Sequence, residues 1–426
     1  MSLNRNIAPA FHLVDRLHFP AYETRYTKQG FKIYALKAGV QPVVRLDFIF
    51  DAGLIHQVKN AEAAFTASML SEGTNKRNAL SLAESLDFYG SYFQTRCNAD
   101  DAVASLYCLD KHFNNCLPLF LEALIESIFP AKELDIQKKN SLQKLIVNEK
   151  KNSYLCRKNF YQNLLGENHP YAAFSSKENI NSIDRNSLEI FHKNQYLEGL
   201  KYLMLSGCYS IETLNIIEKS MAEQPFSKPK ENKLHMPDPI SKIGKHLIEK
   251  NDSVQSAIRI GKISIQRDHE DFRKLQFLNL IFGGYFGSRL MKNIREDKGL
   301  TYGIYSVLEP FKGTSVWYID SDMNSKNRES GLSEIYKELA RICAEPIPND
   351  EIDTARNYYL GSFLRSLDGP FSLADRLKIM IDNKLSDSYY PDFVKILNEI
   401  GAEELQHLAN KYLANENIVE MVVGKK

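Results

Sequence analysis

The chain has 426 residues, of which 43% are hydrophobic and 25% are charged, and its formal net charge is +1. This composition is typical of a soluble globular protein, and the length predicts roughly two to four domains. The near-zero net charge gives no electrostatic reason to expect a nucleic-acid partner or an acidic substrate.

The six cysteines are scattered without C-x-x-C spacing, which favours reduced, buried thiols over a disulfide framework or a zinc knuckle. The N-terminal stretch has no apolar signal-peptide core, and no apolar run reaches the ~18–20 residues of a membrane span. We therefore expect a cytoplasmic protein that binds neither membrane nor nucleic acid.

The first half begins with an alternating strand, "VVRLDFIFDAG", and a short helix, "AAFTASMLSEGT", that is predicted to stop at Gly73. The small residues that dominate this helix bury little apolar area and offer no acid, base or metal ligand. Two strand-like runs follow, then an amphipathic helix and a helix that starts after a proline, "FPAKELDIQKKNSLQKLIVNE".

Residues 223–246 are rich in proline and lysine and are predicted to be a linker between domains 1–222 and 247–426. The second domain repeats the order of the first: strand, helix, paired strands, amphipathic helix and proline-initiated helix. We predict an α+β fold of two tandem homologous domains. Each is expected to be a mainly antiparallel sheet with helices packed on one face, and the two to close like a clam around a cleft.

None of the ten histidines stands four residues from another, so no helix can present an H-x-x-x-H metal pair. There is no Gly-x-Ser-x-Gly elbow, and the glycines of "FGGYFGSR" fit neither a P-loop nor a dinucleotide fingerprint. The spacing of these residues therefore predicts no helix-borne metal pair, no serine-hydrolase elbow and no nucleotide-binding loop.

One stretch, "SRLMKNIREDKGLTYGIYS", is predicted to bring two polar side chains close together. Helix signals run through Asp297, Gly299 reverses the chain, and a strand follows, so Arg295 and Tyr302 can point into the same space. A fixed cation and a phenolic donor suit a carbonyl oxygen that gains negative charge. The alternative is that Arg295 pairs with an acid such as Asp297 and that Tyr302 is half-buried in the sheet.

These motifs together resemble the pitrilysin/insulinase/mitochondrial-processing-peptidase family of zinc metallopeptidases, the inverzincins. The resemblance covers nearly the whole chain in order. It rests on the strand end Phe48–Gly53, the helix end Ser68–Thr74, the His169–Tyr171 triplet and the long motif from Gly284 to Tyr302.

The family carries H-x-x-E-H, two zinc-binding histidines and a general base, on the first-half helix. In this alignment the histidine positions are Ala64 and Ser68, and the glutamate position is Ala67. The third zinc ligand of the family, a glutamate, falls near Gln143 and Lys144. The resemblance therefore implies that this chain holds no catalytic zinc and is inactive alone.

Members of the family also contribute an Arg and a Tyr from the second half, and Arg295 and Tyr302 match that pair in spacing. In two-subunit members one chain carries H-x-x-E-H and the other carries only the pair. The resemblance thus implies a non-catalytic subunit of a heteromeric metallopeptidase, which binds an extended peptide and completes the partner's site, with zinc only in that partner.

Three alternatives remain open at this point. The chain could instead pair with itself as a homodimer. It could be an inert structural or peptide-binding assembly module with no role in hydrolysis. It could also be an active enzyme with a relocated metal site.

Overall fold

The computed structural model describes residue 14 and residues 17–227 and 236–426. The predicted linker lies partly outside these residues, as do His12 and His235. The domain boundaries drawn from the sequence therefore stay a prediction.

Within the described residues, eleven strands form two sheets. The first sheet has the order β1-β2-β6-β3-β5-β4, with β1 (Glu23–Tyr26), β2 (Lys32–Lys37), β3 (Val43–Phe50), β4 (Tyr92–Cys97), β5 (Ala102–Leu109) and β6 (Leu200–Gly207). The second has the order β7-β11-β8-β10-β9, with β7 (Gly244–Glu249), β8 (Gln255–Ser264), β9 (Thr301–Phe311), β10 (Thr314–Asn324) and β11 (Val419–Gly424). The β2–β6 and β7–β11 pairs are parallel, and all other pairs are antiparallel.

The same residues form fourteen α-helices, which are α1 (Glu62–Met69), α2 (Ala79–Asp87), α3 (Phe113–Ile125), α4 (Ala131–Glu149), α5 (Asn152–Leu165), α6 (Lys177–Ser182), α7 (Arg185–Phe191), α8 (Ile211–Met221), α9 (Phe272–Asn279), α10 (Arg328–Ala344), α11 (Asn349–Arg365), α12 (Pro370–Asp382), α13 (Tyr389–Glu399) and α14 (Ala402–Tyr412). Wider π-helical turns span His192–Leu197, Leu280–Gly284 and Met291–Asp297. In the described part of the chain, no helix is both long and apolar enough to cross a bilayer.

The repeat predicted from the sequence is visible in the strand order. The series β2-β6-β3-β5-β4 of the first sheet has the same connectivity as β7-β11-β8-β10-β9 of the second. The proline-initiated helices also recur, because α4 follows Pro130 and α11 follows Pro348. Each sheet buries one face against helices of its own half, and the predicted α+β class with two mostly antiparallel sheets is confirmed.

The opposite face of each sheet is covered by a helix from the other half, which the sequence did not indicate. Ala374 and Leu377 of α12 pack with Ile49 of β3 and Met204 of β6. In return, α5 packs across β8 and β11 of the second sheet. Each half therefore packs one of its helices on the sheet of the other half. A cavity of ≈ 400 Å³ lies where the two halves meet.

A buried arginine lies where each exchanged helix crosses. Arg45 of β3 pairs with Asp47 at 2.9 Å and with Asp375 of α12 at 2.7 Å. Arg259 of β8 forms two hydrogen bonds, of 3.0 and 2.8 Å, to Asp320 of β10. A buried guanidinium needs such carboxylate partners because an unpaired charge in the interior is costly.

Candidate functional site

Helix α1 places the three positions of the zinc motif differently with respect to solvent. Ala64 is exposed, Ser68 is half-buried, and Ala67 is buried against β4, where its carbonyl accepts a hydrogen bond of 2.7 Å from the Thr95 hydroxyl. The helix ends at Met69 with its C-cap at Leu70, so it stops two residues earlier than a helix with Gly73 in the C′ position would. Residues beyond Met69 leave the helix because the 73–74 segment instead bridges to Asn78 and Ser127.

The partner of Ser68 is a glutamine that the sequence did not single out. The Ser68 hydroxyl donates to the Phe65 carbonyl at 3.0 Å and accepts from the Gln137 side chain of α4 at 2.9 Å. Lys144 lies seven residues after Gln137, which is two turns along the same face of α4. Opposite Ser68, α4 therefore presents the neutral amide of Gln137 instead of a zinc-binding carboxylate.

The donor set at α1 does not fit a zinc ion. Alanine has no donor atom, and neutral serine and glutamine are poor zinc ligands compared with imidazole, thiolate and carboxylate. Across the described residues, no three His, Cys, Asp or Glu side chains lie close enough together to hold a metal ion. The absence of catalytic zinc from this chain stays a prediction.

The structure brings Arg295 and Tyr302 together and adds a third residue. The Cζ atom of Arg295 lies 5.2 Å from the centre of the Tyr302 ring and 4.7 Å from the centre of the Phe286 ring. Tyr302 is 89% exposed and Phe286 is 56% exposed. The half-buried guanidinium is thus flanked by two accessible aromatic rings, which stabilise it by cation–π attraction.

Sequence signals near Arg295 account for its position. The π-helical turn Met291–Asp297 ends as predicted, and Gly299, with φ +60°, reverses the chain. The Leu300 amide then donates to the Ile294 carbonyl at 2.9 Å, and β9 begins at Thr301. Because a side chain disfavours that φ value, glycine at 299 lets Arg295 and Tyr302 meet across a short turn.

Buried contacts hold both sides of this turn. Arg289 forms two hydrogen bonds, of 2.8 and 3.0 Å, with Glu351 of α11. Behind β9, the indole of Trp317 donates to Asn279 at 3.0 Å and to Ser306 of β9 at 2.9 Å. The helix that carries Arg295 and the strand that carries Tyr302 are therefore each fixed to the core.

Arg295 itself has no carboxylate partner in the part of the chain that the structure describes. The alternative ion pair with Asp297 does not form, and among the described residues no other acid lies within ion-pairing distance of this guanidinium. The contrast with Arg289, six residues earlier, is direct, because Arg289 is paired and mostly buried. Arg295 offers its N–H groups and its charge to whatever approaches the surface.

The free edge of the second sheet begins at this site. In the described residues β9 pairs with no strand other than β10, although some of its backbone groups already bond to side chains, as where the Asn279 amide donates to the Ser306 carbonyl at 3.0 Å. Such an edge can accept an extended peptide as an additional strand. Phe286, which no motif marked, and the β9 edge are the parts of this site that sequence patterns missed.

Comparison with known proteins identifies related chains. The family model "Insulinase (Peptidase family M16)" matches residues 35–173, and the model "Peptidase M16 inactive domain" matches residues 182–359. The chain is 23% identical over 354 residues to the uncharacterized zinc protease YmxG of Bacillus subtilis, and the match covers 82% of this chain and 84% of that protein.

A second relative is the non-peptidase homolog YmxG of Helicobacter pylori, which is 24% identical over 309 residues, with 70% of this chain and 69% of that protein covered. The crystal structure of a peptidase M16 inactive domain from Pseudomonas fluorescens superposes with a TM-score of 0.87 and 27% identity, covering 95% of this chain and 98% of that one. Both halves of the chain, and the fold as a whole, match one family. The chain therefore belongs to peptidase family M16, the insulinase family.

Proposed function

We propose that this chain is the zinc-less subunit of a heteromeric M16 peptidase, in which Arg295 and Tyr302 complete the active site of a partner that carries H-x-x-E-H. The observation that carries the proposal is the half-buried guanidinium of Arg295, which lies between two exposed rings and has no carboxylate partner among the described residues. The inactive-type relatives and the missing zinc motif at α1 support a role that depends on another chain.

The substrate in this proposal is an extended peptide. A peptide that adds to the β9 edge would run past Tyr302 at the start of that strand, so that a peptide carbonyl could face Arg295 and the Tyr302 hydroxyl. The main-chain hydrogen bonds of such a strand give affinity without requiring one particular peptide sequence.

The chemical contribution of the pair is electrostatic. During hydrolysis the carbonyl oxygen of the scissile bond gains negative charge, and a cation with a phenolic donor stabilises that oxygen more in the transition state than in the ground state. The nucleophile, the base and the zinc ion belong to the partner. This chain binds and orients the peptide and holds the developing oxyanion.

The test is reconstitution. The purified chain alone should contain no stoichiometric zinc and cleave no peptide, because α1 has no ligands and no base. Mixing it with the homologous H-x-x-E-H chain of the same organism should give a complex with zinc-dependent peptidase activity. The matched control is the partner with its motif glutamate changed to glutamine, which should assemble equally well and stay inactive.

Two outcomes would contradict the proposal. Zinc bound tightly by this chain alone, together with peptide cleavage, would show a relocated metal site. A partner that is fully active without this chain, or a complex whose activity does not depend on it, would favour the alternative of an inert assembly module.

A further inference from the structure

A cluster of arginines lines a separate cavity in the second half of the molecule. The cavity has a volume of ≈ 140 Å³ and lies between α9, α11, α12 and α13 and the loop after β8. One water needs roughly 10–15 Å³, so the space is large enough for a small polyatomic ligand. None of the residues of the Arg295 site lines it.

Among the described residues, the cavity wall carries three positive charges and no negative one. Arg267, Arg273 and Arg376 all line it, and the described lining includes neither Asp nor Glu. None of the three guanidinium groups forms an ion pair with an acid among the described residues. Three like charges around one small cavity repel one another, and a bound anion would relieve that repulsion.

Each of the three arginines is held by an aromatic ring. The Cζ atom of Arg273 lies 4.7 Å from the ring centre of Tyr389, that of Arg267 lies 5.3 Å from Phe272, and that of Arg376 lies 5.9 Å from Phe363. Arg273 also donates to the Tyr389 carbonyl at 2.6 Å. Packing of this kind restricts the side chains in advance, so less entropy is lost when they bind a ligand.

Tyr389, one of the residues that line the cavity, has a buried hydroxyl without a partner among the described residues. Tyr389 is only 7% exposed, and its hydroxyl has no hydrogen-bond partner in the described structure. A buried donor left unpaired is costly, and such groups in native proteins commonly mark the place of a ligand or water. Burial raises the pKa of Tyr359, a neighbour in the same wall, and the charges of Arg376 and Arg267 oppose that rise.

We propose that this cavity binds a phosphate group, either free phosphate or the phosphate of a small monoester. Arginine forks match the oxygens of a tetrahedral phosphate, and a dianion balances most of the charge of three guanidinium groups. The Tyr389 hydroxyl would donate a further hydrogen bond to the anion. The site is independent of the proposed peptidase role and can be tested on the chain alone.

The test is calorimetric titration of the full chain with inorganic phosphate at constant ionic strength, with sodium nitrate as the control anion. Saturable one-to-one binding of phosphate is expected. Arg376→Gln and Arg267→Gln should each weaken it about tenfold or more, because each removes a charged hydrogen-bond donor. The matched control is Arg365→Gln, which removes an exposed charge from α11 outside the cavity lining and should change the affinity by less than about twofold.

Tyr389→Phe distinguishes a binding role from a structural one. Because the hydroxyl has no partner to lose, the variant should unfold at the same or a higher temperature without phosphate, yet bind phosphate several-fold more weakly. A parallel titration with glycerol phosphate separates the sources: tighter binding of the ester supports a phosphorylated metabolite, and tighter or equal binding of inorganic phosphate supports the free ion. Absence of saturable phosphate binding in the millimolar range, or equal affinity in wild type and Arg376→Gln, would overturn the proposal.

Discussion

Helix α1 of the first half and the π-helical turn Met291–Asp297 of the second half each lie beside an edge strand, β4 and β9 respectively. At α1 the polar groups satisfy one another, since Ser68 bonds to Phe65 and Gln137. At the second site the cation of Arg295 pairs with no acid of the described residues, and its neighbours are exposed rings. In the half that resembles the catalytic half of the family, the polar side chains at α1 are already hydrogen-bonded to one another. In the other half, the charge of Arg295 is available to a ligand.

The architecture is retained at both of these sites, but an available functional group is found only at the second. Helix α1 persists because its buried residues, such as Ala63 and Met69, still pack in the core. Burial keeps a helix even after its ligands are lost. A functional group, in contrast, is recognised because its charge and hydrogen-bond donors have no acid partner among the described residues, as for Arg295.

The largest effect on stability is expected at the buried arginine of the second sheet. Asp320→Ala leaves Arg259 buried without its carboxylate and should lower the free energy of unfolding by about 3 kcal/mol. Asp375→Ala, the corresponding change in the first half, should cost about 1 kcal/mol or less, because Asp47 still pairs with Arg45 and Asp375 is mostly exposed. Urea unfolding of both variants measures the comparison, and equal losses would contradict it.

Arg289 and Arg295 belong to the same Gly284–Tyr302 motif, but their replacement should lower the free energy of unfolding by different amounts. Arg289→Ala removes the partner of Glu351 and should lower the free energy of unfolding by about 2 kcal/mol. Arg295→Ala breaks no ion pair and should cost less than about 1 kcal/mol, since only cation–π contacts at an exposed site are lost. The same urea measurement applies, and a reversed order would show that Arg295 is the structural residue.

Removal of the Tyr302 hydroxyl should affect turnover and not stability. Tyr302→Phe keeps the ring over Arg295 but deletes one neutral donor, so kcat of the reconstituted complex should fall by up to about tenfold with little change in KM. Tyr305→Phe is the matched control, because Tyr305 is also an exposed tyrosine of β9. Equal effects of the two variants would argue against a specific role for Tyr302.

The smallest effect concerns acid pH at the junction of the halves. Burial opposes ionisation of Asp382, but Lys378 and Lys201 outweigh it and lower the pKa of this carboxyl. A lowered folded-state pKa contributes stability that is complete above the unfolded value, near 3.9, and is lost as pH falls through the folded value. The free energy of unfolding should therefore decrease below about pH 4, with a shallower slope in Asp382→Asn and an unchanged slope in the exposed control Asp368→Asn.

Local signals in the sequence predicted much of this molecule. The two-fold repeat, the helices that follow Pro130 and Pro348, and the turn at Gly299 all depend on residues close together in the chain. Propensity, capping and glycine conformation act over a few residues, so a single sequence reveals them.

The missed features depend on tertiary packing, in most cases between residues that are far apart in the chain. Gln137 meets Ser68 from 69 positions away, and α5 and α12 cross to the opposite halves. Phe286 joins the site because a turn between two π-helical segments projects it beside Arg295. No periodicity or local propensity encodes such long-range packing, and only tertiary structure shows it.

The most direct test of a functional second half is the turnover of the reconstituted complex with Arg295→Ala. Lys292→Ala, an exposed charge in the same π-helical turn, serves as the matched control. We predict that Arg295→Ala assembles normally, leaves the zinc content of the complex unchanged and lowers kcat by about 10²–10³, the usual cost of losing an oxyanion donor, while Lys292→Ala stays near wild type. Unchanged turnover in Arg295→Ala would contradict the account.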